Sequence, residues 1–235
     1  MVNYQEAFEK PFTDIKKLLI GIALSILPLI SWFARGYILE CSGTGKNKSV
    51  KKMPEWAGWK NFGSYFVKGF IYYIIALIYL LPAIMVFIFG AGKVIYSLAI
   101  SIPWQEVQQK TSDEAAALIQ PIIQDAMPAL KSAFPYLIIS IVLGILALYI
   151  LPIAALSYLN ENNLSGAFRI KKIFKKSFTG KYFVAVILML LVALLLGSLL
   201  GVIPFVGKPA AAFIISVIAY SLFGQIYLET NKKIR

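Results

Sequence analysis

The five residues Ser42-Gly43-Thr44-Gly45-Lys46 come nearest to a chemical motif in this chain. A phosphate-binding loop needs a glycine five positions before its second glycine and a Ser or Thr directly after the lysine. Glu40 stands at the first of those positions, Asn47 follows Lys46, and no strand precedes the segment. It reads as a flexible loop. The chain has no histidine, which excludes His-based triads, His zinc sites and haem ligation and removes the usual pH switch. Cys41 is the single cysteine, so neither an intrachain disulfide nor a cysteine metal site can be built. No carboxylate pair, activated nucleophile or metal-ligand cluster falls within the apolar segments, so no catalytic, cofactor-binding or metal-binding residue is assigned and no cofactor is expected.

What remains is a small set of residues whose burial would be costly. Arg35 and Glu40 flank Gly36-Tyr37 at the end of the first apolar stretch. They can snorkel to the membrane surface, which is the favoured reading, or form a buried ion pair at the mouth of a hairpin. Pro28 interrupts the same stretch, and Pro204 and Gly207 punctuate a turn near the C-terminus. Gly197 and Gly201 have the spacing that lets another helix approach closely, with intramolecular packing expected before a dimer contact.

These residues hang on an unusually apolar frame. Of 235 residues 59% are hydrophobic, against about 45–50% in a soluble domain. Leu18–Ala34, Phe70–Gly92, Phe134–Leu159, Tyr182–Ile203 and Pro209–Leu228 carry almost no charge, and several reach the ~20 residues a helix needs to cross a bilayer. The expected fold class is an all-α integral membrane protein forming one polytopic domain. It should hold about four to six transmembrane helices and interfacial amphipathic helices. Leu18–Leu39 is the exception, because a proline midway favours two short arms, a re-entrant hairpin, over a full crossing.

Charge sets the expected topology. The net charge is +12, and with no soluble basic–aromatic module it points to anionic head groups rather than nucleic acid. Segments 40–68 and 160–181 and the C-terminal tail are lysine-rich and belong in the cytoplasm of a multi-pass cell-membrane protein. Segment 105–133 is acidic and belongs outside, as an amphipathic stretch kinked at Pro121 and Pro128 and opened by a capping box at Thr111–Glu114. Residues 1–17 read as an interfacial lead-in. Val94–Trp104 is too short to cross alone. Ala167, Ile170, Ile173, Phe174 and Phe178 form one apolar stripe, with Arg169, Lys171, Lys172, Lys175 and Lys176 facing lipid head groups around it.

A family resemblance is carried by Tyr4-x-x-Ala7-Phe8-x-x-Pro11-Phe12-x-Asp14, Lys17-Leu-Leu-Ile-Gly21, Pro28, Gly36-Tyr37 and Met53-Pro-Glu-Trp56. Gly166-Ala-Phe168 with Ile173, Ile203-Pro-Phe-Val-Gly207 and Gly224-Gln-Ile-Tyr227 extend it. Nearly the whole chain resembles the prokaryotic membrane family, common in archaea, known as domain of unknown function 4013. The resemblance implies a multi-spanning membrane protein and no particular activity. Two functions fit the residues. One is a non-enzymatic protein that organises the bilayer or serves as a subunit among other membrane proteins. The alternative is a small transporter or channel whose proline-broken helices free carbonyls for a substrate, with Arg35 favouring an anionic group. A lipid-modifying enzyme using Glu40, Glu55 or Glu161 lacks its catalytic constellation.

Overall fold

A computed structural model describes residues 2–27, 30–45, 51–56 and 59–234, so the Pro28 expectation and Lys46 lie outside the described residues. All regular structure among them is helical. The order is α1 (Tyr4–Glu9), a 3-10 turn (Lys10–Thr13), α2 (Ile15–Ile26), α3 (Ser31–Cys41), α4 (Trp59–Phe87), a π segment (Ile88–Gly92), α5 (Lys93–Ser101), α6 (Trp104–Val107), α7 (Ser112–Glu161), a second 3-10 turn (Leu164–Phe168), α8 (Ile170–Ser177), α9 (Gly180–Gly201) and α10 (Gly207–Ile234). The chain forms two compact units, Met1–Ala76 with Tyr149–Arg235 and Leu77–Leu148.

Among the described residues four stretches are long and apolar enough to cross a membrane: Asn61–Gly92, Lys131–Glu161, Gly180–Gly201 and Gly207–Asn231. Their surroundings differ. In the most apolar window of α10, 78% of the residues are buried, against 11% in that of α9. α10 is therefore the axis of the first unit, and α9, α2, α3, α1 and the first 3-10 turn pack on it. The outer face of α9 offers Leu190, Leu191, Leu194, Leu195 and Leu199 to its surroundings. Water would penalise each such side chain by about 1.5–3 kcal/mol relative to burial, whereas hydrocarbon does not.

Local chemistry explains the starts and stops. Asn3 caps α1 by accepting from the Glu6 amide at 3.2 Å, and Asp14 caps α2 by accepting from the Lys17 amide at 3.1 Å. α2 ends because Leu27, held extended at φ −97° and ψ 130°, precedes a proline. The expected boundary at Pro103-Trp104 is present, since α5 stops at Ser101.

In the second unit, Gly90 in the π segment lies so close to Tyr136 that a Cβ would stand 2.2 Å from its ring. Ser140 Oγ donates to Ala83 O at 2.9 Å. The amphipathic stretch that holds Pro121 and Pro128 is continuous with the following apolar segment, since α7 runs from Ser112 to Glu161. Its start holds the reach-back half of the capping box, with the Thr111 amide and hydroxyl donating to Glu114 Oε2 at 3.1 and 2.9 Å. Those bonds hold the Glu114 carboxyl below its usual range.

Candidate functional site

The segment Leu18–Leu39 returns to where it began. Lys10 Nζ donates to Cys41 O at 2.6 Å, and Trp56 Nε1 donates to Lys17 O at 3.1 Å. Between these ends α2 and α3 have 12 and 11 residues, about 18 and 16 Å at 1.5 Å per residue. Neither covers the ~30 Å of a hydrocarbon core.

The mouth of this hairpin is clasped by the segment before α4. Tyr37 is fully buried and stacks on Trp56 with ring centroids 3.7 Å apart. Its hydroxyl donates to Pro54 O at 2.9 Å, while Tyr65 Oη donates to Glu55 O at 2.7 Å. Lys17 Nζ reaches Glu55 Oε1 at 2.6 Å and Asp14 Oδ2 at 3.3 Å. The Lys17 amide, donating to Asp14, is the main cause holding that carboxyl below its usual range. Gly36 and Gly69 let α3 and α4 touch backbone to backbone, since a Cβ on Gly36 would lie 1.8 Å from Tyr65 O and one on Gly69 would lie 1.9 Å from Trp32 O.

Glu40 and Arg35 do not pair. Glu40 is 2% exposed and makes its ion pair with Lys68, itself 6% exposed. Arg35 instead lays its guanidinium over the Tyr72 ring, 4.9 Å from the centroid. Charge patterning assigns Lys68 to the end of a basic loop, but α4 begins at Trp59 and carries it inside the helix. A signal was available: Lys68 lies between Val67 and Gly69-Phe70, at the start of an apolar run. Beside the pair, the Ser42 hydroxyl donates to Leu39 O at 2.6 Å and is bonded to Thr44 Oγ1 at 2.8 Å. Gly43 takes φ 72°, a conformation glycine adopts without strain. Ser42 and Thr44 are buried and their hydroxyls are engaged within the turn, so this part of the expected flexible loop is instead packed. Lys10 is likewise buried, and burial lowers its ammonium from the ordinary lysine value.

Arg35 lines a cavity of about 210 Å³. Ser25, Ser31, Tyr73, Pro209 and Ser216 are among its walls, so the hairpin, α4 and the first turns of α10 all contribute. The family model described as a protein of unknown function, DUF4013, matches residues 19–205. The chain belongs to this family. Neither a curated protein nor a solved structure matches it. In this DUF4013 chain the motif residues Lys17, Gly36, Tyr37 and Trp56 therefore meet at one place, the hairpin mouth.

The other expected site residues lie elsewhere. Pro204 and Gly207 build the α9–α10 turn, where Val206 N donates to Pro204 O at 2.7 Å and Gly207 N to Ile203 O at 3.1 Å. A side chain at Gly207 would strike Leu200 O at 1.8 Å. Gly197 and Gly201 meet nothing within 4 Å, so the intramolecular packing expected of them is not made among the described residues.

α8 corrects the expected single stripe. Ala167 and Ile173 are fully buried, whereas Ile170, Phe174 and Phe178 are exposed. At 100° per residue, Ile173, Lys176 and Ser177 share the inward face, while Ile170, Phe174 and Phe178 form a second apolar face beside it. Lys176 is thus not lipid-facing: it is 1% exposed. Its ammonium lies 3.2 Å from the Tyr227 ring centroid and donates to Asn231 Oδ1. Burial, helped by Lys172 and opposed by Glu161, pushes its pKa down to about 7. Arg169 and Lys172 converge on Glu161 Oε1 at 3.1 and 2.8 Å. Lys171 and Lys175 are exposed.

Proposed function

We propose that this protein is a non-enzymatic, multi-spanning protein of the cell membrane. It holds anionic lipid at one leaflet and so organises the bilayer or anchors a larger membrane complex. The observation that carries the reading is α8. Its inward face buries Ile173 and Lys176, with Lys176 held against Tyr227 and Asn231 of α10, its second face exposes Ile170, Phe174 and Phe178, and Lys171 and Lys175 are exposed next to that face. An apolar face flanked by lysines suits the boundary between acyl chains and head groups. Four helices then cross the membrane, and Leu18–Leu39 enters and leaves on the cytoplasmic side. The basic segments 40–68 and 160–181 and the C-terminus lie in the cytoplasm, and 105–133 lies outside. Arms of 12 and 11 residues with joined ends support the hairpin part of this reading.

The test is the lipid that co-purifies with the protein. Each surface lysine contributes about 1 kcal/mol towards anionic lipid. Lys171→Gln with Lys175→Gln should therefore reduce retained phosphatidylglycerol relative to phosphatidylethanolamine by roughly 30-fold, read by mass spectrometry. An unchanged ratio refutes the reading. Orientation is tested with Lys51→Cys in a Cys41→Ala background, because Lys51 is 75% exposed and Cys41 is buried. Labelling from the outer face of intact cells would overturn the topology.

A further inference from the structure

The Arg35 charge is not matched by a carboxylate among the described residues, and Glu40 is committed to Lys68. Its immediate neighbours are phenol rings, with Tyr72 under the guanidinium and Tyr73 and Tyr220 close by. It stands six positions before Cys41 on α3, about 9 Å along the helix axis from the Lys10–Cys41 bond, and its guanidinium lies over the Tyr72 ring of α4. A cation held this far along an apolar hairpin is costly unless a counter-charge reaches it.

The cavity beside it has the chemistry to admit one. Arg35 offers a fork of N–H donors, and Tyr73 and Ser216 offer hydroxyls. The Ser25 hydroxyl is already donated to Gly21 O at 2.8 Å. None of the residues lining the cavity is acidic. Pro209 belongs to the first turn of α10, whose helix dipole is positive at that end. Size then limits the guest. A space of about 210 Å³ equals roughly seven water volumes at ~30 Å³ each. It falls short of the ~300–1,000 Å³ that drug-sized ligands occupy.

We propose that Arg35, with Tyr73 and Ser216, binds one phosphate-sized oxyanion in the cavity between the hairpin and the first turns of α10. The guanidinium fork suits two oxygens of a phosphate group, and the hydroxyls suit the others. The group is either free inorganic phosphate or the head of an anionic phospholipid, since both present the same oxygens. This site shares no residue with α8 and stands or falls separately from the lipid contacts proposed there.

The test uses the full chain in neutral detergent, with the thermal midpoint read by tryptophan fluorescence. Inorganic phosphate is titrated against sodium chloride of equal ionic strength. In a second arm, phosphatidylglycerol is compared with phosphatidylcholine in mixed micelles, using a Lys171→Gln/Lys175→Gln background to silence α8. A rise in midpoint that Arg35→Gln weakens by about tenfold or more in apparent affinity supports the site. Response to phosphate alone assigns a free anion, and response only to phosphatidylglycerol assigns a head group. An equal response in the parent protein and the Arg35→Gln variant, or no response in either, overturns the proposal. Should Arg35→Gln fail to fold, Ser216→Leu fills the cavity and keeps the charge: loss of the response supports the site, and an undiminished response overturns it.

Discussion

Removing the carboxylate of Glu40 isolates the energetics of the hairpin mouth. Glu40 is 2% exposed and its partner Lys68 is 6% exposed, so solvent screens neither charge. Glu40→Gln keeps the side-chain shape and leaves the Lys68 ammonium in a buried site without its anion. Breaking a buried pair in this way costs about 3–5 kcal/mol, a large part of the ~5–15 kcal/mol that holds a typical fold. At about 2–4 °C per kcal/mol for a chain of this size, the thermal midpoint should fall by about 6–20 °C. The double variant Glu40→Gln/Lys68→Met removes both charges and should recover most of the loss, because two matched apolar or neutral groups carry no ionic desolvation penalty. The assay is thermal unfolding in detergent followed by tryptophan fluorescence, with a double-mutant cycle to extract the coupling. Additive effects, with a coupling below about 0.5 kcal/mol, would refute the view that these two residues act as a buried pair.

Three further outcomes follow from the packing. Gly36→Ala places a methyl 1.8 Å from Tyr65 O, so α3 and α4 must separate; a loss of about 1–3 kcal/mol is expected, and an unchanged midpoint would show that the crossing is looser than described. Lys176 has a folded pKa of about 7, below the ~10.4 of an exposed lysine. The unfolded chain therefore binds more protons between those values, and stability rises as pH increases from about 7. Lys176→Met should raise the midpoint more at pH 6 than at pH 9, and equal shifts at the two pH values would contradict this. Gln225 brackets Asn3, accepting from its amide at 2.6 Å and donating to its carbonyl at 3.2 Å. Gln225→Ala strands both groups at a cost of about 1–3 kcal/mol, and faster amide exchange over residues 2–13 is the expected readout.

The regular parts of this fold are legible in the sequence because their signals are local. Tyr182–Ile203 and Pro209–Leu228, read from apolar length, differ by only a few residues from α9 and α10. The capping box at Thr111–Glu114 and the boundary at Pro103 are short-range bonds written in adjacent residues. Where long-range burial competes with a local pattern, the pattern alone misleads. The stripe on α8 divides into an inward and an outward face because a helix wedged against a core can bury only part of its circumference. Lys176 follows its angular position rather than its charge, and Tyr227 and Asn231 make that tolerable.

Composition and period alone pointed to an all-helical chain with helices long and apolar enough for a bilayer, and the motifs spread along it pointed to the family whose model matches residues 19–205. They also marked Arg35, Gly36, Tyr37 and Glu40 as residues set apart from the surrounding apolar sequence. Only the tertiary structure decided the partners: Glu40 with Lys68, Tyr37 with Trp56, and Arg35 with a cavity instead of a carboxylate. The physical reason is that apolar burial is non-directional and sums along the sequence. Ion pairs, ring stacks and cavities depend instead on angles and distances between segments tens of residues apart, which no local pattern encodes.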